Sequence, residues 1–292
     1  MLKEVFSFPQ FNEKAGCCFL CRVRPDGIRD TSTTAPWRQD RLTLWTLIVH
    51  LQSQGKLISS IFDAPGISLD TFKLDWLHIA DLGVAADWLG QSFEHMLTKI
   101  EGRTKDARVK ELWRRIQHYY KNTTISKLDN LTSNMIKATG ARTAKLKAHA
   151  AESRGLVPIA LQLAKDILSE DDPLDAAVLQ VTQELASCYE CLSAGADQST
   201  LADHSRRVCT LWVALEAMHD RFGIKPKMHL FQELCEQSGP TRPSAHWTYR
   251  DEDFGGSIVG LARHRGGPKT PGATGHRVLM NFCARYPFPV VC

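Results

Sequence analysis

The sequence predicts an α-rich α/β chain with a small remnant of sheet, and three observations carry that expectation. Apolar residues recur at helical spacing through most of the chain, and the Gly and Pro breakers fall between those stretches. One segment only, 67–75, alternates as a strand does. The chain has 292 residues, 43% of them hydrophobic, with 36 Lys+Arg against 32 Asp+Glu. That is enough apolar material for one large domain or two small ones, and it excludes a disordered polypeptide.

Residues 1–36 read as irregular, broken by Pro9, Gly16, Pro25, Gly27 and Pro36, with a cysteine cluster at Cys17, Cys18 and Cys21. Over 37–60, Leu42, Trp45, Ile48, Val49 and Leu51 follow helical spacing. Asp63-Ala64-Pro65-Gly66 is a turn before the strand candidate. Asp81 then stands as the N-terminal cap of a helix whose stripe is Leu82, Ala85, Leu89, Phe93 and Leu97. Helices are expected over 104–121, 127–150, 156–169, 174–193, 199–222 and 226–237, with Gly155, Asp171-Asp172-Pro173 and Gly195 between several of them. Past Gly239-Pro240, a helix over 251–263, a Gly/Pro-rich loop over 266–272 and a last helix toward Arg285 complete the reading.

No apolar run approaches the roughly 20 residues of a membrane-spanning helix, so no membrane partner is expected. The opening residues are too few and too polar for a signal peptide. Nine cysteines then read as reduced thiols or metal ligands in a nuclear or cytoplasmic protein, not a secreted one. The formal charge of +4 is segregated: −2 over 1–98, +9 over 99–154, −7 over 155–240 and +4 over 241–292. Such a pattern suits a protein that presents one face to a polyanion, and it is equally what solvated helix surfaces carry.

Several motifs bear on chemistry. Cys18-Phe19-Leu20-Cys21 is a Cys-x-x-Cys on an irregular stretch, where two thiolates can share a tetrahedral Zn2+. Its neighbourhood supplies Cys17 and, more distantly, His50 as further donors. Cys188 and Cys191 repeat the spacing inside an apolar helix, where buried thiols acting as small hydrophobes explain them better. Asp75 and His78 close the strand candidate. Asp251, Glu252 and Asp253 open a helix, where the dipole favours acids whatever their role. His219-Asp220 is a pair found in metal phosphohydrolases and also by chance.

Taken in order, the local wording resembles the second half of the transposase of CACTA (En/Spm-type) DNA transposons. The resemblance rests on Ala15-Gly16-Cys17-Cys18-Phe19-Leu20-Cys21, then Leu74-Asp75-Trp76-Leu77-His78-Ile79, then Gly102-Arg103-Thr104-Lys105-Asp106 ahead of a basic helix. Further along come His229-Leu230, Gly239-Pro240, Trp247-Thr248-Tyr249-Arg250-Asp251-Glu252 and Phe282-Cys283-Ala284-Arg285-Tyr286. Residues of roughly 120–225 carry no matching motif.

This resemblance implies a partial ribonuclease-H-like core with a large helical insertion. Residues 1–36 would be an irregular Cys-containing segment and 37–98 the partial core. Residues 99–240 would be a basic helix followed by the insertion, and 241–292 the core's C-terminal helices with the last carboxylate. It implies metal-dependent DNA cleavage and strand transfer with Asp75 and Glu252 as catalytic ligands of Mg2+ or Mn2+. DNA would be held by Lys105, Arg108, Lys110, Arg114, Arg115, Arg263 and Arg265, with homo-oligomers an open option. The first catalytic Asp, expected ahead of the cysteine pair, has no counterpart in 1–16. An incomplete transposase is therefore expected, and a non-catalytic DNA- or protein-binding module is the alternative.

Overall fold

The computed structural model describes residues 7–249 except 10–12, 15, 122, 139–142, 194–195, 238–242 and 246, together with Met280. The chain divides into two units, Met1–His246 and Trp247–Cys292. In the second, the rings of Trp247 and Tyr249 meet edge to face with centroids 5.5 Å apart.

The first unit is mostly helical. Its helices are α1 (Pro36–Gln39), α2 (Leu44–Ser53), α3 (Ala86–Met96), α4 (Lys105–Tyr120), α5 (Ala150–Ile167), α6 (Pro173–Glu190), α7 (Leu201–Met218) and α8 (Pro226–Gln237). A π-helical segment, Leu77–Ala85, runs directly into α3. Local chemistry sets the starts. Thr43 and Thr46 form a reciprocal cap on α2, and Thr104 Oγ1 accepts from the Ala107 N–H at 3.2 Å on α4. Asp172 accepts from the Leu174 and Asp175 N–H groups on α6, where Pro173 occupies the first turn. The apolar stripe of α4, Val109, Leu112, Ile116 and Tyr120, is buried at helical spacing.

The core gathers around the π segment and α3. Trp76, Trp88, Phe93, Trp212, Phe222 and Phe231 are fully buried there, each burial stabilising by about 1.5–3 kcal/mol relative to exposure. Trp88 and Trp212 cross at 5.1 Å, and Trp76 lies 5.4 Å from Tyr189 and 5.7 Å from Phe231. Among the described residues, the one sheet is a two-stranded hairpin, β1 (Ile136–Lys137) with β2 (Lys145–Leu146), antiparallel in the register Ile136↔Leu146 and Lys137↔Lys145. It lies against α3 at Gly90, where a Cβ would stand only 2.4 Å from the Lys145 Cα.

The structure departs from the sequence reading in four places. Residues 67–75 form no strand: Ser68 and Thr71 cap each other across a 3₁₀ turn, Leu69–Thr71, after Gly66 turns the chain at φ +84°. The alternation there reflects Leu69, which is buried, and Ile67, Phe72 and Leu74, which are half-buried, on a stretch whose other residues are mostly exposed. Among the described residues of 127–149 there is no helix where one over 127–150 was expected, and Ile136–Lys137 and Lys145–Leu146 pair as the hairpin. Gly155, expected as a separator, lies inside α5, where its bare Cα admits the Ser126 carbonyl. Asp81 is no cap. The helix begins earlier because Leu77, Ile79 and Ala80 are all buried, and Asp75 caps it by accepting from the Leu77 and His78 N–H groups at 3.3 and 3.1 Å. Asp81 is instead fully buried, accepting from Trp76 Nε1 at 3.2 Å and from the Tyr189 hydroxyl at 2.6 Å. Over 37–98 the chain carries no strand, only an isolated bridge from Arg41 to Cys21. Among the described residues, no helix is long and apolar enough to cross a membrane.

Candidate metal centre

The N-terminal hook is built by backbone pairing. Leu42 N–H donates to the Leu20 carbonyl at 3.0 Å, Arg22 N–H to the Asp40 carbonyl at 3.2 Å, and Cys17 N–H to the Val23 carbonyl at 2.9 Å. This folds Cys18-Phe19-Leu20-Cys21 into a tight turn in which Leu20 N–H donates to Cys18 Sγ at 3.3 Å. Cys17 points its thiol at the Val23 carbonyl, and His50 pairs Nε2 with Gln54 at 2.9 Å, so neither nearby donor joins the pair.

The other two donors come from α8. His229 and Glu233 are four residues apart and so share one helix face. Cys21 Sγ lies 3.3 Å from His229 Nε2, and His229 Nε2 lies 3.6 Å from Glu233 Oε1. One ligand atom from each of Cys18, Cys21, His229 and Glu233 lies within 4.8 Å of all the others, and all four residues are buried. Trp37 stands edge-on to the His229 ring at 4.6 Å and fixes its plane. A tetrahedron with metal bonds of about 2.0–2.3 Å has edges of roughly 3.3–3.8 Å, so the measured separations fit a four-coordinate ion after small adjustment. These residues could hold a metal ion.

The electrostatics match that use. Burial works against ionising Cys18, but hydrogen bonds from Cys21 and His229 outweigh it and hold its thiol well below the usual range. The hydrogen bond to Cys18, followed by burial, pushes Cys21 up. Glu233 is 2% exposed and meets Arg41 Nη1 at 2.5 Å, while Gln237 Nε2 donates to its other oxygen. Burial opposes the Arg41 charge, yet Glu233 and the two cysteines raise its pKa overall. Arg41 arrives on the same bridge that fixes Cys21.

The other sequence-derived candidates fall elsewhere. Asp75 is committed to its own helix start and to His78 Nδ1 at 2.5 Å, and Glu252, Arg263 and Arg265 lie outside the described residues. On α4, Lys105 Nζ donates to the Ile136 carbonyl at 2.8 Å and lies 3.5 Å from Glu94. Arg108 lays its stem along Gly102, and Lys110 is exposed. Arg114 and Arg115 both hydrogen-bond Glu111, which they hold down at about 2. Cys188 is fully buried and pushed up by that burial, as are Cys209 and Cys235. His219 holds Asp220 at 2.9 Å on an exposed turn. His229 and Glu233 were missed as ligands although His-x-x-x-Glu stands on a helix the sequence predicts. That spacing puts two donors on one face, and only the fold supplies the distant cysteines. Compared with protein-family models, with curated proteins and with solved structures, the chain gives no match.

Proposed function

We propose that this chain is a non-catalytic DNA-binding module of the CACTA-transposase type, clasped by one structural Zn2+ at Cys18, Cys21, His229 and Glu233. The observation that carries the reading is the closure of this centre. Four protein donors, all buried, satisfy a tetrahedral ion and leave no open position for water or substrate, the arrangement of structural and not catalytic zinc. The donor set favours zinc over Mg2+ or Mn2+, because thiolates are soft ligands and those ions prefer oxygen. Two thiolates and a carboxylate against a dication leave one negative charge, and Arg41 beside Glu233 balances it.

When bound, the ion joins the N-terminal hook to α8. The chain's own residues do the rest: Trp37 orients His229, the bridge at Arg41 holds Cys21, and Gln237 steadies Glu233. DNA as the partner is supported by the ordered resemblance and by the net +9 over 99–154. The second reading is a metal-dependent transposase using Asp75 and Glu252, which the motif order favours. Asp75 already caps the π segment with both carboxylate oxygens, which favours the non-catalytic reading.

Two measurements on the full chain test this. Metal analysis should return one zinc per chain, and duplex DNA should bind without nicking in Mg2+ or Mn2+. Nicking of supercoiled DNA that is lost in Glu252→Gln would replace this reading with the catalytic one.

A further inference from the structure

Away from the metal centre, lysines from two distant stretches of sequence meet along the π segment and the start of α3. The hairpin register sets Lys137 directly opposite Lys145, which places both side chains on one face while Ile136 and Leu146 are buried on the other. Lys145 Nζ donates to the Leu82 carbonyl at 2.7 Å and lies 3.6 Å from Asp87 Oδ1. The stretch entering α8 brings Lys225 Nζ to 2.7 Å from that same Asp87 oxygen, and Lys227 Nζ donates to the His78 carbonyl at 2.8 Å. His78 and Leu82 are four residues apart, so their carbonyls set two ammonium groups about one helical turn from each other.

We propose that Lys137, Lys145, Lys225 and Lys227 form a phosphate-binding patch that takes the backbone phosphates of nucleic acid. This rests on the DNA reading above and names where the backbone is held. Asp87, only 5% exposed, pairs with the ammonium groups of Lys145 and Lys225, and these four lysines with Asp87 carry a formal charge of +3. Opposed like charges on neighbouring strands destabilise a hairpin, and an anion bridging them relieves that repulsion. An ammonium has three donors, so contact with one carbonyl leaves Lys227 with others to offer a phosphate oxygen. Burial first, and then the neighbouring Lys145, lower the Lys227 pKa, opposed by Asp87. Lys145 and Lys227 satisfy helix carbonyls and Lys225 pairs with Asp87, while Lys137 is exposed on the hairpin.

The test uses the full zinc-loaded chain and two probes, a short DNA duplex and inorganic tripolyphosphate. Binding is measured between 50 and 200 mM salt. The variant Lys137→Gln with Lys225→Gln is compared with Lys137→Arg with Lys225→Arg, and with a control of equal charge change, Lys14→Gln with Lys165→Gln. The slope of log affinity against log salt should fall by about 1.8 in the first variant and stay at the wild-type value in the other two, since each lost phosphate contact removes about 0.9. An unchanged slope in the Gln variant overturns the patch and leaves DNA binding standing. Lysine-dependent tripolyphosphate binding with no DNA binding upholds the patch and removes the DNA reading. Binding of neither probe removes both.

Discussion

His95 Nε2 and Asp175 Oδ1 meet at 2.6 Å in the interior, each side chain 2% exposed, and so tie α3 to α6. The other ring nitrogen, Nδ1, lies 3.0 Å from Arg221 Nη1. A guanidinium only donates, so Nδ1 accepts, Nε2–H donates to the carboxylate, and the imidazole is neutral. Lys99 Nζ closes the group 2.9 Å from Asp175. Burial, opposed in part by Asp175, lowers the His95 pKa below its ordinary 6.5, with Arg221 and Lys99 adding to the effect.

A pH dependence follows. Because the unfolded chain takes up the His95 proton more readily than the folded one, stability falls as pH drops below about 6.5. Asp175, held down mainly by Lys99 against its burial, adds a further loss below about 3.8 as the pH falls through its depressed pKa. Denaturant unfolding of wild type and His95→Gln between pH 7.5 and 5 checks this. The wild-type curve should decline with acid more steeply than the variant's, and parallel curves would show that His95 is not held neutral.

If zinc fills the proposed centre, losing a ligand should cost more than losing the ligand's outer partner. Cys18→Ser should abolish stoichiometric zinc and lower the thermal midpoint. Arg41→Gln should keep the ligands but weaken the metal about 10–100-fold, as loss of an outer partner does. Competition with a chromophoric chelator measures both, and an Arg41 variant of wild-type affinity would show that the Glu233 contact is idle.

Gly90→Ala should destabilise by about 1–3 kcal/mol or more, because the obstacle is the β2 backbone and not a flexible side-chain tip. Urea unfolding reads the change. A neutral result would mean that the hairpin does not sit against α3 in solution.

Glu111→Gln should strengthen DNA binding and steepen its salt dependence, since it releases Arg114 and Arg115 from the carboxylate they share. Equal affinity in a filter-binding titration would place DNA away from α4.

The helices were legible where a stripe and a cap coincide. On α4, Thr104 and the series Val109, Leu112, Ile116 announce both, and on α6 Asp172-Pro173 marks the start. The hairpin was not, because its two-residue strands are too short to show alternation and are held by Gly90, over 40 residues earlier in the chain. Half of the metal centre was visible as Cys18-x-x-Cys21. The other half was not, since a His and a Glu at helical spacing become candidate ligands only when the fold delivers thiols 208 residues away. Asp81 misled because an acid before an apolar stripe reads as a cap, whereas Trp76 and Tyr189 partner it in the interior.

The separation of the cysteines from α8 also orders events during synthesis. The hook leaves the ribosome before α8, and at about 5–20 residues per second His229 and Glu233 follow it by about 10–40 seconds. Through that interval the nascent chain displays a bare dithiol with half a coordination shell, open to oxidants and to thiophilic ions. If the proposed zinc centre forms, cellular zinc supply and thiol-reducing capacity bear on the chain at the stage of translation, before any question of its stability once folded.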